Sequence, residues 1–201
     1  MDTPPFPLNT TFKYNSIRCL YDLARRVESN RIPGDIVECG VCNGGTAAIL
    51  AHVASNSKLE RTIWLFDSFE GMPETSKEDG KLAAQYAGQV VGSIEKVYSV
   101  LKKVGSNMNR IRIVKGWFKD TFPAVNIPEI ALLNIDSDWY QSVNLCLETF
   151  FGAVVPEGFV SIDDYGHWPG CKQAVDEFFR SKNLTYRLNK VDYTARWFQK
   201  I

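Results

Sequence analysis

Apolar residues recur at helical spacing from position 12 to 29, where Tyr14, Ile17, Leu20, Tyr21, Leu23, Ala24 and Val27 share one face, and Pro33-Gly34 ends the pattern. The period then changes. Residues 35–39 (DIVEC) form a short apolar run that leads into the glycine-rich turn GVCNGG, and a helix is expected over 46–55. Further buried-strand runs stand at 62–66 (TIWLF), 111–115 (IRIVK), 131–135 (ALLNI) and 159–162. Helical patterns cover 93–104, 142–151 and 171–181, the last with Ala174, Val175, Phe178 and Phe179 on one face. Two closing segments, 185–188 and 193–199, read as an antiparallel pair.

Strands that alternate with helices imply right-handed crossovers and an α/β fold: a seven-stranded, mostly parallel sheet with a C-terminal antiparallel hairpin and helices on both faces. No repeat or linker divides the chain, so one domain over 1–201 is expected, with an arm and helix at 1–33. The stretch 71–92 is polar, irregular and rich in Gly, Lys and Glu. Long loops in compact domains are disordered or functional, and this one directly follows a ligand-side strand, which makes it a lid over the pocket.

Composition narrows the partners. The 201 residues are 45% apolar and carry 23 basic and 23 acidic side chains, with no basic block, so nucleic acid is not the expected partner. No run of eighteen apolar residues suggests a membrane span, and MDTPPFPLNT lacks the apolar core of a signal peptide. Five scattered cysteines fit a reducing cytoplasm. Cys39 and Cys42 have C-x-x-C spacing, but no second pair accompanies them, and both read as small apolar residues at a strand-to-turn junction. A homodimer contact, if formed, would use the N-terminal helix and the closing strands.

In open parallel sheets ligands bind beyond the carboxyl ends of the strands. After the first strand comes Glu38-Cys39-Gly40-Val41-Cys42-Asn43-Gly44-Gly45-Thr46, whose glycines allow close backbone approach and whose Asn43 and Thr46 can cap the next helix. A dinucleotide loop would read G-x-G-x-x-G, and Cys42 breaks that match. After the second strand Asp67 can accept from a ribose diol, with Ser68 and Phe69 lining an adenosine pocket; it can equally cap a loop. After the third come Gly116 and Trp117, which close a pocket or simply pack. The fourth strand ends in Asp136-Ser137-Asp138 and the fifth in Asp163-Asp164. Like charges so gathered need a cation or a protonated member, and oxygen-only ligands select magnesium, manganese or calcium. His167 is a structural imidazole or a titrating one beside that cation.

Together the stretches GDIVECGVCNGGTA, WLFDSFEGMPE, KGWFKDTFP, ALLNIDSDWYQS and VSIDDYGHWPGCKQAVDEFF, in order from Gly34 to Phe179, resemble the macrocin O-methyltransferase family, metal-dependent sugar methyltransferases of macrolide and aminocoumarin biosynthesis. The resemblance implies a Rossmann-like class I fold, S-adenosylmethionine as methyl donor, a magnesium (or manganese) ion and a small-molecule or glycan acceptor. It further implies that Glu38, Gly40, Val41 and Gly44 line the donor pocket, that Asp67, Ser68, Phe69, Gly116, Trp117 and Asp136 complete it, and that Asp136, Asp163 and Asp164 hold the metal. Asp138 is the candidate general base, with His167 as its alternative. Two departures stand out: Pro156-Glu157-Gly158 replaces a common Pro-Gly-Gly, and Trp139 replaces a residue that is often Leu. Two rival readings remain at this point, a NAD-type oxidoreductase and a non-catalytic S-adenosylmethionine-binding protein.

Overall fold

The computed structural model describes residues 14–55 and 57–201. The extended arm expected ahead of the first helix lies outside them. The chain runs α1 (Tyr14–Ser29), β1 (Asp35–Cys39), α2 (Gly45–Ser55), β2 (Ile63–Asp67), α3 (Gly80–Ala83), α4 (Ile94–Lys103), β3 (Ile111–Lys115), α5 (Phe118–Thr121), β4 (Ile130–Ile135), α6 (Tyr140–Phe150), β5 (Val154–Ile162), α7 (Pro169–Ser181), β6 (Asn189–Lys190) and β7 (Arg196–Gln199), with short 3-10 turns between. Strand order is β3-β2-β1-β4-β5-β7-β6. The first five strands are parallel and β7 is antiparallel to both β5 and β6.

Short strands dominated by Ile, Val, Leu and Phe are buried on both sides, as a sheet covered by helices on both faces requires. On one face Leu23, Val27, Leu50 and Leu101, from α1, α2 and α4, pack on Ile36, Leu65 and Leu132. On the other, Val143, Phe150, Val175 and Phe178, from α6 and α7, pack on Phe66, Leu133 and Val160. Strand order reverses between β1 and β4, so the crevice beyond their carboxyl ends is where ligands of such sheets bind. No helix among the described residues is long and apolar enough to cross a membrane.

Three sequence expectations change. The hairpin's first strand is Asn189–Lys190 rather than 185–188. The alternation of Leu184, Tyr186 and Leu188 comes from packing against the α7 side of the core. The segment 71–92 is not irregular throughout: Lys77–Asp79, Gly80–Ala83 and Ala84–Tyr86 are helical turns. The fifth strand starts earlier, at Val154, and the Pro156-Glu157-Gly158 departure falls in an irregularity where pairing jumps from Ile130–Val154 to Leu132–Phe159. Glu157 there holds φ at 67°, a conformation that glycine takes without steric cost.

Candidate functional site

A cavity of about 890 Å³ opens at the carboxyl ends of the strands. Every parallel strand contributes to its wall: Gly40 and Val41 after β1, Asp67 and Ser68 after β2, Trp117 and Phe118 after β3, Asp136 and Asp138 after β4, Asp163 after β5. Ile17 and Leu20 of α1 close one side, and Met72, Pro73, Tyr86 and Val90 of the 71–92 segment overhang another.

Beneath the glycine turn lies Glu38, fully buried. The β1–β4 register sets it opposite Asn134, whose Nδ2 donates to Glu38 Oε1 at 3.0 Å, while Oε2 finds no hydrogen-bond partner of good geometry. Burial is the largest influence on this carboxyl and pushes it up to about 7, against the lowering effect of Thr46 and Asn134. Gly40, at φ 94°, is required by contact: a Cβ there would stand 1.8 Å from the carbonyl oxygen of Asp136. The turn after β1 is thus pressed directly onto the turn after β4.

Asp67 holds the glycine turn in shape. Its Oδ2 accepts from the backbone N–H groups of Val41 (2.8 Å) and Cys42 (2.7 Å), and its Oδ1 accepts from Phe69 N–H at 2.7 Å. A carboxylate offers about four acceptor sites. Three are taken, so binding both hydroxyls of a ribose diol would require a turn N–H to be released. Asp67, which the sequence offered both as a ribose acceptor and as a loop cap, anchors the turn and keeps acceptor capacity on the cavity wall.

Asp136, Asp138 and Asp164 each present an oxygen such that all three lie within 4.8 Å of one another. Asp163 lines the cavity, and among the described residues it does not belong to this group. The structure thus sets Asp138, read from sequence as a base, beside Asp136 and Asp164, two of the expected ligands, while Asp163, the third, stands on the cavity wall. Asp138 stands at φ 56°, a sparsely populated conformation for a residue with a side chain. Trp168 Nε1–H donates to Asp138 Oδ1 at 3.0 Å.

The overhanging segment is bolted down by Asp79, which is 1% exposed. Its Oδ1 accepts from Tyr140 N–H at the start of α6 (2.7 Å), and its Oδ2 accepts from Ser76 N–H and Oγ–H. Negative charge is favoured at a helix N-terminus. Gly170, in the first turn of α7, packs so closely that a Cβ would stand 1.8 Å from Asp79 Oδ1. Trp139 adds a second tie by donating from Nε1 to the Pro73 carbonyl at 3.1 Å.

Of the residues singled out in the sequence, Glu38 lies under the cavity floor, and Gly44, Phe69, Gly116, Asp164 and His167 are off its wall. Gly44 packs against Val97 and Val100 of α4. The positive φ of Phe69 accompanies a ring buried in the α2 side of the core. His167 is exposed, with its ring against Trp168 and Tyr193. Sequence reasoning missed Asn134, Asp79, Trp139 and Trp168. Only Asn134 had a signal, a polar side chain inside an otherwise apolar strand run.

The sequence profile of the macrocin O-methyltransferases (TylF) matches residues 1–200. Demethyldecarbamoylnovobiocin O-methyltransferase of Streptomyces niveus is 32% identical over 192 residues, 92% of this chain and 72% of that protein. Mycinamicin III 3''-O-methyltransferase of Micromonospora griseorubida is 32% identical over 185 residues, 86% of this chain and 72% of that protein. Among solved structures, that of the O-methyltransferase NovP superposes with a TM-score of 0.84 at 29% identity, covering 96% of this chain and 83% of the other.

Proposed function

This chain belongs to the macrocin O-methyltransferase family, and we propose that it transfers the methyl group of S-adenosylmethionine to a hydroxyl of a sugar, or another vicinal diol, with the help of a divalent cation. Class and donor follow from the family and the class I methyltransferase fold. The acceptor and the cation are the proposal, and one observation carries it: three carboxylates from the ends of β4 and β5 lie within 4.8 Å of one another, and two of them, Asp136 and Asp138, line the cavity that the glycine turn also lines.

The donor set fits a hard cation. It is made of oxygen alone, the three groups are half-buried or buried, and three mutually close carboxylates repel unless a cation or a proton stands among them. Asp136 and Asp164 would hold the ion, with Asp138 in reach of it. When bound, magnesium or manganese supplies Lewis-acid polarisation that lowers the pKa of an acceptor hydroxyl.

The protein's own residues divide the remaining work. Glu38 and the turn it underlies receive the methionine end of the donor, whose ammonium group matches a buried carboxylate. Asp138 takes the proton of the attacking hydroxyl. It lines the cavity whereas His167 is exposed and off the wall, which favours Asp138 as the base. When bound, the donor would supply an activated methyl group: the acceptor oxygen would bond to the methyl carbon as the carbon–sulfur bond breaks, with the electron pair leaving on sulfur as a neutral thioether. The sulfonium is already activated, so holding the two reactants in line is the main contribution of the fold.

The test uses donor with a deuterated methyl group and an acceptor panel of demethyldecarbamoylnovobiocin, mycinamicin III, methyl α-L-rhamnoside and catechol, with magnesium or with EDTA. Labelled methyl ether formed only with magnesium is the expected result. Equal product in EDTA would remove the cation from the account, and donor binding without product from any diol would favour a non-catalytic binding protein.

A further inference from the structure

We propose that Trp168 is a positioning residue for methyl transfer, holding the Asp138 carboxylate in place and tying it to the segment over the cavity. This rests on the reading of Asp138 as the proton acceptor. Trp168 sits between β5 and α7 and bridges two strand ends. Its backbone N–H donates to the Asp164 carbonyl at 3.1 Å, and its indole N–H donates to Asp138 Oδ1 at 3.0 Å. One residue thus touches both strand ends, through its backbone at Asp164 and through its side chain at Asp138.

The ring has little freedom. It is 7% exposed and meets Trp139 edge to face at 4.8 Å, with planes 76° apart. On another side Tyr86, from the overhanging segment, meets it at 5.6 Å and 71°. Trp139 is itself fixed to that segment through the Pro73 carbonyl. A carboxylate on a residue at positive φ gains a defined direction only from its partners, and an indole N–H locked by ring packing supplies one. Phenylalanine would supply one ring to this packing but no N–H donor for Asp138. The ring path from Tyr86 through Trp168 to Asp138 also gives the overhanging segment a physical connection to the proton acceptor.

The experiment compares wild type, Trp168→Phe, Asp138→Asn and the double variant on the panel acceptor with the highest wild-type turnover, with S-adenosylhomocysteine binding measured by calorimetry. Trp168→Phe keeps an aromatic ring, loses part of the packing and deletes the N–H, so the double variant and the S-adenosylhomocysteine Kd separate the lost donor from the lost packing. The expected result is a kcat lower by about 10- to 100-fold, an S-adenosylhomocysteine Kd within twofold of wild type, and a double variant no slower than Asp138→Asn alone, because residues acting as one unit are not additive. In 15N spectra the indole signal lost in Trp168→Phe should also move in Asp138→Ala. Unchanged kcat in Trp168→Phe beside an inactive Asp138→Asn would overturn the role of Trp168 alone. Full activity in Asp138→Asn would overturn the proton-acceptor reading and this inference with it. A Trp168→Phe loss recovered by saturating magnesium would overturn it too, since Trp168 would then serve the cation site. Should Trp168→Phe fail to fold, Tyr86→Ala at its exposed position removes the brace; a several-fold lower kcat at saturating acceptor supports the proposal, and an unchanged one overturns it.

Discussion

Glu38 shows how a single residue couples the fold to the ligand. Its carboxyl is raised from 4.5 to about 7, mainly by burial. Between those values the folded chain holds a proton that the unfolded chain has lost, so this site's contribution to stability falls as pH rises through the window and levels off above it. Glu38→Gln should therefore be more stable than wild type at pH 8, by at most about 3 kcal/mol, and nearly equal to it at pH 4.5. Melts at both pH values check this. The same variant should bind S-adenosylhomocysteine more weakly, because the carboxylate that would meet the ligand's ammonium is gone. Asp136→Asn should lose most turnover and keep donor binding, read by product formation beside calorimetry; unchanged turnover would remove Asp136 from the cation site. The charged residues were legible because each ends an apolar strand run, where a carboxylate has no packing reason to stand. The burial of the Phe69 ring was not legible, because nothing in the sequence reports a positive φ. Trp168 was passed over because a tryptophan between Asp-rich and helical segments reads as packing, and its N–H contact spans thirty residues.

At the scale of elements, α2, α4, α6, α7 and the five parallel strands follow from hydrophobic period, with boundary differences of a few residues. The segment 71–92 did not, because its order comes from tertiary contacts rather than from its own pattern. Asp79 is the clearest case. An acidic residue in a polar stretch reads as solvated, yet here it is buried and accepts the first N–H of α6. Gly170 is the matching element on α7. Replacing a helical glycine by alanine ordinarily stabilises, but here the added methyl would strike Asp79 Oδ1. Gly170→Ala should therefore destabilise by about 1–3 kcal/mol, seen as a lower midpoint in urea; an equal or higher midpoint would mean the segment is not clamped. The closing hairpin failed for a related reason: a two-residue strand carries too little pattern, and the stronger alternation beside it belongs to side chains packed on the core.

For the whole molecule, the order of strands and helices was enough to place the cavity, because a parallel sheet whose order reverses between β1 and β4 has one crevice at its carboxyl ends. What order alone leaves open is which carboxylates converge there. That depends on how far each turn carries its side chains, and it set Asp138 beside Asp136 and Asp164. The central claim, that this crevice takes S-adenosylmethionine over a floor set by Glu38, is tested most directly by a thermal melt with S-adenosylhomocysteine at about one hundred times its dissociation constant. The account predicts about 2.7 kcal/mol of added stability and a midpoint about 5–10 °C higher, reduced in Glu38→Gln. An unchanged midpoint at millimolar ligand would contradict it.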